Sequence, residues 1–145
     1  MKIEAVWRGG LSFDGTNESG KTLHLESPSG VTPMEAILIA LAGCTGMDVV
    51  SILEKMRVKI SGLKIAVEAT RKDEHPKVFD SILITYIIEG EGVFEDKVKR
   101  AIDLSQEKYC SVSAMLRKAA EVKYQYRIIG NTRQEAENPT TQPQE

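Results

Sequence analysis

Apolar residues along the chain keep two different periods. Lys2 to Trp7 alternates, with Ile3, Ala5 and Trp7 on one side, and Lys21 to Glu26 alternates again, with Leu23 and Leu25 facing in and His24 facing out. A period of two marks a half-buried strand. Gly9-Gly10 breaks the first run and Leu11 to Phe13 resumes it. The stretch from Asp14 to Gly20 (DGTNESG) reads as a turn, because Asp, Asn and Gly tolerate positive φ. The opening segment therefore predicts a hairpin or short meander, leading through Ser27-Pro28-Ser29-Gly30 into a helix.

That helix, Thr32 to Arg57, carries its own start signal. Thr32 is placed as N-cap, Pro33 suits the first helical position, and Glu35 stands three residues after the cap. From Ala36 to Leu53 the one charged side chain is Asp48. Ile37, Leu38, Leu41, Met47, Val50 and Leu53 form a broad apolar face, with Ile39, Val49 and Ile52 outside it. A helix apolar almost all round lies in a protein core or a bilayer. Asp48, Gly43, Thr45, Gly46 and Ser51, with no basic cluster at either flank, favour the core. So much apolar surface on a small chain also predicts a homodimer that covers it.

After Arg57 the period returns to two. Leu63, Ile65, Val67 and Ala69 make one face of a strand. Asp80 to Glu89 follows as a longer one, with apolar groups on both faces, so it is expected at the sheet centre. Glu95-Asp96 opens a helix whose inward stripe reads Val98, Ala101, Ile102, Ser105 and Tyr109. Cys110-Ser111 breaks it, with Ser111 as cap of a fresh helix to Ala120. Val122, Tyr124, Tyr126 and Ile128 mark a last strand. Residues 1–129 read as a single α+β domain with antiparallel sheet, and the polar stretch 130–145 as a disordered tail.

A net charge of −2 and the balance of 41% hydrophobic and 28% charged residues give no sign of nucleic acid or a membrane as partner. No apolar leader follows Met1, so a reducing cytoplasm is expected. There, a cysteine pair is more often catalytic than a structural staple.

Candidate chemistry reduces to Cys44, Cys110, His24, His75, Glu35, Asp48, Arg8 and Arg71. The cysteines stand 66 positions apart (110 minus 44), so only the fold joins them. They read either as two buried thiols or as an attacking and resolving pair, since a thiolate is the nucleophile and needs positive charge or helix N-terminal N–H groups nearby. By that criterion Cys110, just before a helix start, is the better activated. Zinc held by both cysteines with His24 and His75 is a third arrangement, which no ligand spacing supports. Arg71 reads as the partner of Asp73 or Glu74, and Asp48 as the partner of a base or of a buried polar group. No phosphate loop, nucleophile elbow or nucleotide fingerprint is present.

The strings PMEAIL and GCTGMDVVSIL around Cys44, EHPKVF after Arg71 and EKYCSVSAML around Cys110 resemble the OsmC/Ohr superfamily of thiol-dependent hydroperoxide reductases, in its OsmC-like branch, over Lys2 to Ile129. The resemblance implies an α+β OsmC-like fold, with a long central helix packed against antiparallel sheets in an intertwined homodimer. It implies a cysteine-based peroxidase that needs no cofactor and no metal. The residue matching Cys44 attacks an organic hydroperoxide and becomes a sulfenic acid, the residue matching Cys110 resolves it as a disulfide, and a dithiol reductant restores both. Glu35 falls where the family's activating glutamate falls. Arg8 is the one arginine before the central helix and sits off the usual position. The same fold without turnover, holding a small apolar ligand, is the alternative.

Overall fold

A computed structural model describes residues 1–133. The chain divides into two compact units, Met1–Leu41 and Ala42–Glu145. The division falls within one long helix.

In the first unit the strands β1 (Ile3–Trp7), β2 (Ser12–Asn17) and β3 (Thr22–Glu26) form an antiparallel meander in that order. The turn expected from Asp14 is shorter. Asp14, Gly15 and Thr16 pair with both neighbouring strands, and Asn17 caps the reversal by accepting from the Ser19 and Lys21 N–H groups. Register aligns Ala5, Gly15 and Leu23 in one row and Trp7, Phe13 and Leu25 in the next. These rows share a face, as alternation requires. That face is open in the single chain: Ile3 is 69% exposed, Trp7 64% and Leu23 59%. The other face is polar and carries Arg8, Asp14 and His24.

Helix α1 (Pro33–Lys55) starts on the expected capping box. The Thr32 N–H donates to Glu35 Oε2 at 3.1 Å and the Glu35 N–H to Thr32 Oγ1 at 3.3 Å. It ends on a Schellman turn, with Arg57 in the left-handed region and the Val58 N–H reaching back to the Leu53 carbonyl. Leu41, Thr45, Val49 and Leu53 are its buried stripe. The face expected from the sequence is partly wrong, since Met47 is 76% and Val50 47% exposed. An all-apolar helix gives no phase from which to choose a side. α1 is long and apolar enough to cross a membrane, yet only 28% of its most apolar window is buried.

In the second unit, β4 (Gly62–Arg71), β5 (Phe79–Glu89) and β7 (Glu121–Ile129) make a sheet with β5 in the middle. β5 runs antiparallel to β4 and parallel to β7. The parallel pair requires a crossover, supplied by α2 (Glu95–Leu104), a π turn (Ser105–Tyr109) and α3 (Ser111–Leu116). Ile82, Ile84, Tyr86 and Ile88 of β5 are buried on one face, whereas Leu83 and Ile87 on the other are half-exposed. β5 is central, as its sequence predicts, but only one face is covered within the chain. Val98, Ala101 and Ile102 of α2 complete this core.

β8 (Thr132–Arg133), beyond the boundary expected at residue 129, pairs in parallel with the short β6 (Val93–Phe94). Residues 134–145 of the expected tail lie outside the described residues.

Candidate active site

The π turn decides what the crossover presents. Its closing bond runs from the Cys110 N–H to the Ser105 carbonyl at 2.7 Å, one residue longer than an α-helical turn. The extra residue advances the inward stripe by one position. Tyr109, expected inside, is 51% exposed, while Gln106 and Cys110 are each 2% exposed. Cys110, not Ser111, is the N-cap of α3, its Sγ accepting from the Ser113 N–H at 3.4 Å, and α3 stops at Leu116 rather than Ala120.

This brings the two cysteines together. Cys44 Sγ, Cys110 Sγ and an Asp48 carboxylate oxygen all lie within 4.8 Å of one another. Cys44 is half-buried and Cys110 buried, and neither is in a disulfide. Gly43 has open space where a Cβ would sit, whereas a Cβ on Gly46 would lie 2.9 Å from Ile65 Cδ1. The first small residue thus leaves room beside Cys44, and the second lets α1 approach β4 closely.

The surroundings drive the two thiols apart in acidity. Burial pushes Cys44 up, but the Val112 backbone N–H, the Cys110 side chain and the Ser111 hydroxyl at 3.9 Å outweigh it. Against the opposing charge of Asp48, they leave the thiol below its ordinary value. Burial pushes Cys110 up to about 11, the Ser113 N–H pulling the other way and Cys44 and Asp48 adding to the rise. The expectation that a helix start would activate Cys110 is therefore reversed. The first turn of α3 serves Cys44 from across the gap, and the deeper burial of Cys110 costs it more than one N–H returns.

Behind the thiols lies a buried polar network. Arg117 donates to the Gln106 carbonyl and, at 2.8 Å, to Gln106 Oε1, which also accepts from the Ser113 hydroxyl. A guanidinium has no acceptor, so it fixes the amide with its oxygen outward and its NH₂ inward. That NH₂ donates to Tyr86 Oη at 2.7 Å and to Thr45 Oγ1 at 3.1 Å. At the far end the Ser105 hydroxyl donates to Asp48 Oδ2 at 2.9 Å. Each hydroxyl has one hydrogen, so the order between is forced: Tyr86 donates to Thr45 at 2.6 Å and Thr45 to Ser105 at 2.7 Å. The chain runs one way, from a cation to a carboxylate beside both sulfurs. Apart from Asp48, none of these residues was a sequence candidate. Thr45, a polar residue one step from Cys44 in an apolar helix, was the signal available.

Of the other candidates, Glu35, Arg8, His24 and Arg71 have local partners, and His75 is exposed. Glu35 completes the capping box. Arg8 Nε donates to Asp14 Oδ2 at 2.9 Å. His24 contacts Asp14 at 2.6 Å and Glu26 at 3.5 Å, and Asp14 followed by Glu26 holds its imidazolium above the usual range. Arg71 donates to the Lys77 carbonyl at 2.7 Å rather than to Asp73 or Glu74. Among the described residues the potential metal-ligating group is Cys44, Asp48 and Cys110, without either histidine.

A family model described as OsmC-like protein matches residues 26–125, the segment that holds both cysteines. The chain belongs to the OsmC-like family. This OsmC-like chain is 37% identical over 132 residues to protein YhfA of Escherichia coli strain K12, covering 89% of the chain and 98% of YhfA. Its fold matches a hypothetical protein from Aquifex aeolicus with TM-score 0.83 and 30% identity, covering 90% and 96% of the two chains. It also matches an organic hydroperoxide resistance protein OsmC from Legionella pneumophila, with TM-score 0.66 and 15% identity over 87% and 96%. The last likeness is one of fold.

Proposed function

We propose that this OsmC-like protein is a thiol-dependent peroxidase that reduces organic hydroperoxides, with Cys44 attacking and Cys110 resolving. One observation carries the reading: two thiols within 4.8 Å, the accessible one made more acidic and the buried one less. A peroxide reaching Cys44 meets a thiol that ionises more readily than an ordinary cysteine. Attack on the peroxide oxygen gives a Cys44 sulfenic acid and an alcohol. The neighbouring thiol can trap that acid before further oxidation, giving water and a Cys44–Cys110 disulfide. A dithiol reductant returns both thiols. The Val112 N–H and Ser111 hydroxyl account for the lowered Cys44 thiol, whereas Arg8 is engaged with Asp14 and Glu35 with Thr32.

The second copy belongs to the same proposal. The open apolar face of the meander and the uncovered flank of α1 present Ile3, Trp7, Leu11, Leu23, Ile39 and Met47 to solvent. Exposed apolar surface of this extent marks an interface, and a homodimer covers it without calling on another protein. Light scattering at micromolar concentration is expected to give twice the chain mass, and a monomer mass would end this part of the proposal.

A binding role without turnover has one observation in its favour. An apolar groove of about 520 Å³ in the first unit is lined by Ala5, Leu11, Phe13, Leu25 and Pro33. Single-turnover reaction with cumene hydroperoxide separates the readings. The reduced protein is expected to consume peroxide, Cys44→Ser to be inert, and Cys110→Ser to react once and over-oxidise. Equal inertness of all three would leave the binding role.

A further inference from the structure

The carboxylate beside the two sulfurs has no use in the first chemical step. Its charge opposes ionisation of Cys44, so a site built for attack alone would be better without it. Yet Asp48 is held in place at the end of the one-way network, Oδ2 accepting from Ser105, with a carboxylate oxygen within 4.8 Å of both thiols. The facing groups are few: Cys44 on α1, Cys110 and Ser105 on the crossover, and behind Ser105 the neutral Thr45, Tyr86 and Gln106 backed by Arg117. Among them Asp48 is the one group that can accept a proton from a thiol and release it again.

The second step needs such a group. Cys110 is 2% exposed, so solvent base hardly reaches it, and burial pushes its thiol up to about 11, which keeps it protonated near neutrality. We propose that Asp48 is the proton carrier of the resolving step, taking the proton from the Cys110 thiol and passing it to the group that leaves Cys44. The proposal rests on Cys44 and Cys110 being the attacking and resolving thiols, and adds a third member to that pair.

The step balances within the site. The Cys110 S–H bond breaks and its proton moves to the Asp48 carboxylate. The sulfur's electron pair forms the S–S bond to Cys44, the Cys44 S–O bond breaks, and the departing hydroxide takes the proton from Asp48 and leaves as water. One sulfur is oxidised and the other reduced, so no outside electron donor is needed. The same step runs on any good leaving group at Cys44, which lets it be measured without peroxide.

The test uses the full-length reduced protein and dithio-bis-nitrobenzoate. Cys44 attack releases one coloured thionitrobenzoate, and Cys110 then displaces the second. Asp48→Asn keeps an acceptor for Ser105 but loses the base. Its first release is expected to accelerate and its second to slow by about a hundredfold, the usual range for a lost general base. Asp48→Ala is expected to show the same slow second release, restored by added formate. A second release in Asp48→Asn within about twofold of wild type overturns the proposal, as does slowing of both releases alike with no formate effect on Asp48→Ala. A wild type that gives both releases but never consumes hydroperoxide would overturn the peroxidase reading and leave the role of Asp48 standing. A wild type without a second release would overturn both.

Discussion

Thr45→Val tests whether the network holds the second unit together. Thr45 is fully buried, and its hydroxyl meets Tyr86 Oη at 2.6 Å, Ser105 Oγ at 2.7 Å and Gln106 Nε2 at 3.1 Å. Valine fills the same volume without the oxygen. Ser105 still donates to Asp48 and Gln106 still donates to Tyr86, so neither is stranded. Tyr86 is different: its hydrogen loses its acceptor in a site closed to water. One orphaned buried donor costs about 1–3 kcal/mol, and the weakened Ser105 and Gln106 contacts bring the expected loss to about 2–3 kcal/mol. Thr45→Ser keeps the hydroxyl and loses one methyl group, for about 1 kcal/mol. Urea denaturation followed by circular dichroism, at matched protein concentration, gives both values. Tyr86→Phe closes a cycle in which the double variant, having no Tyr86 donor to strand, should be less destabilised than the sum of the singles by about 1 kcal/mol. A valine variant within about 0.5 kcal/mol of wild type, or no worse than serine, would refute the forced donor order.

Iodoacetamide should label Cys44 before Cys110, with a Cys44 midpoint below the ordinary thiol value that rises in Cys110→Ala, as peptide mapping across pH would show. Equal labelling in the native protein would contradict the split in acidity. His24 should titrate above 6.5 by NMR, and Asp14→Asn should bring it back down. Because its folded value is raised, the His24 contribution to stability is complete below its ordinary value and fades as pH climbs through the raised one. Gly130→Ala should cost well over about 1 kcal/mol in denaturant, since φ is +113° and the added Cβ would fall 2.1 Å from the Gly90 carbonyl oxygen. A near-neutral effect there would mean that the turn between β7 and β8 is not held as described.

The fold was legible where a period was long and its ends were marked. Thr32, Pro33 and Glu35 gave the start of α1, alternation gave β4, β5 and β7, and two apolar faces placed β5 at the sheet centre. Less was legible where the pattern carried no phase. α1 is apolar around its circumference, so its buried stripe could not be chosen from the sequence. The two cysteines were found at once, but the relative acidity of their thiols was inverted. Helix starts are visible in a sequence, whereas the depth of Cys110 and the reach of the Val112 N–H to Cys44 exist only after folding. The network stayed hidden for a related reason. Gln106 and Arg117 look like surface residues until the stripe is shifted by one.

That shift makes the segment a matter of counting. From Ser105 to Tyr109 the chain carries one residue more than an α-helix needs, and Glu107, Lys108 and Tyr109 face solvent. Side-chain changes at Glu107 and Lys108 should therefore be nearly silent. Deleting either one would restore α-helical winding and turn Ser105 and Gln106 about 100° relative to Cys110. The carboxylate would lose its donor and the thiol its alignment in the same event. Across this turn the constraint is on length rather than on composition, so a gap of one should be harder to tolerate here than any single substitution at its exposed positions.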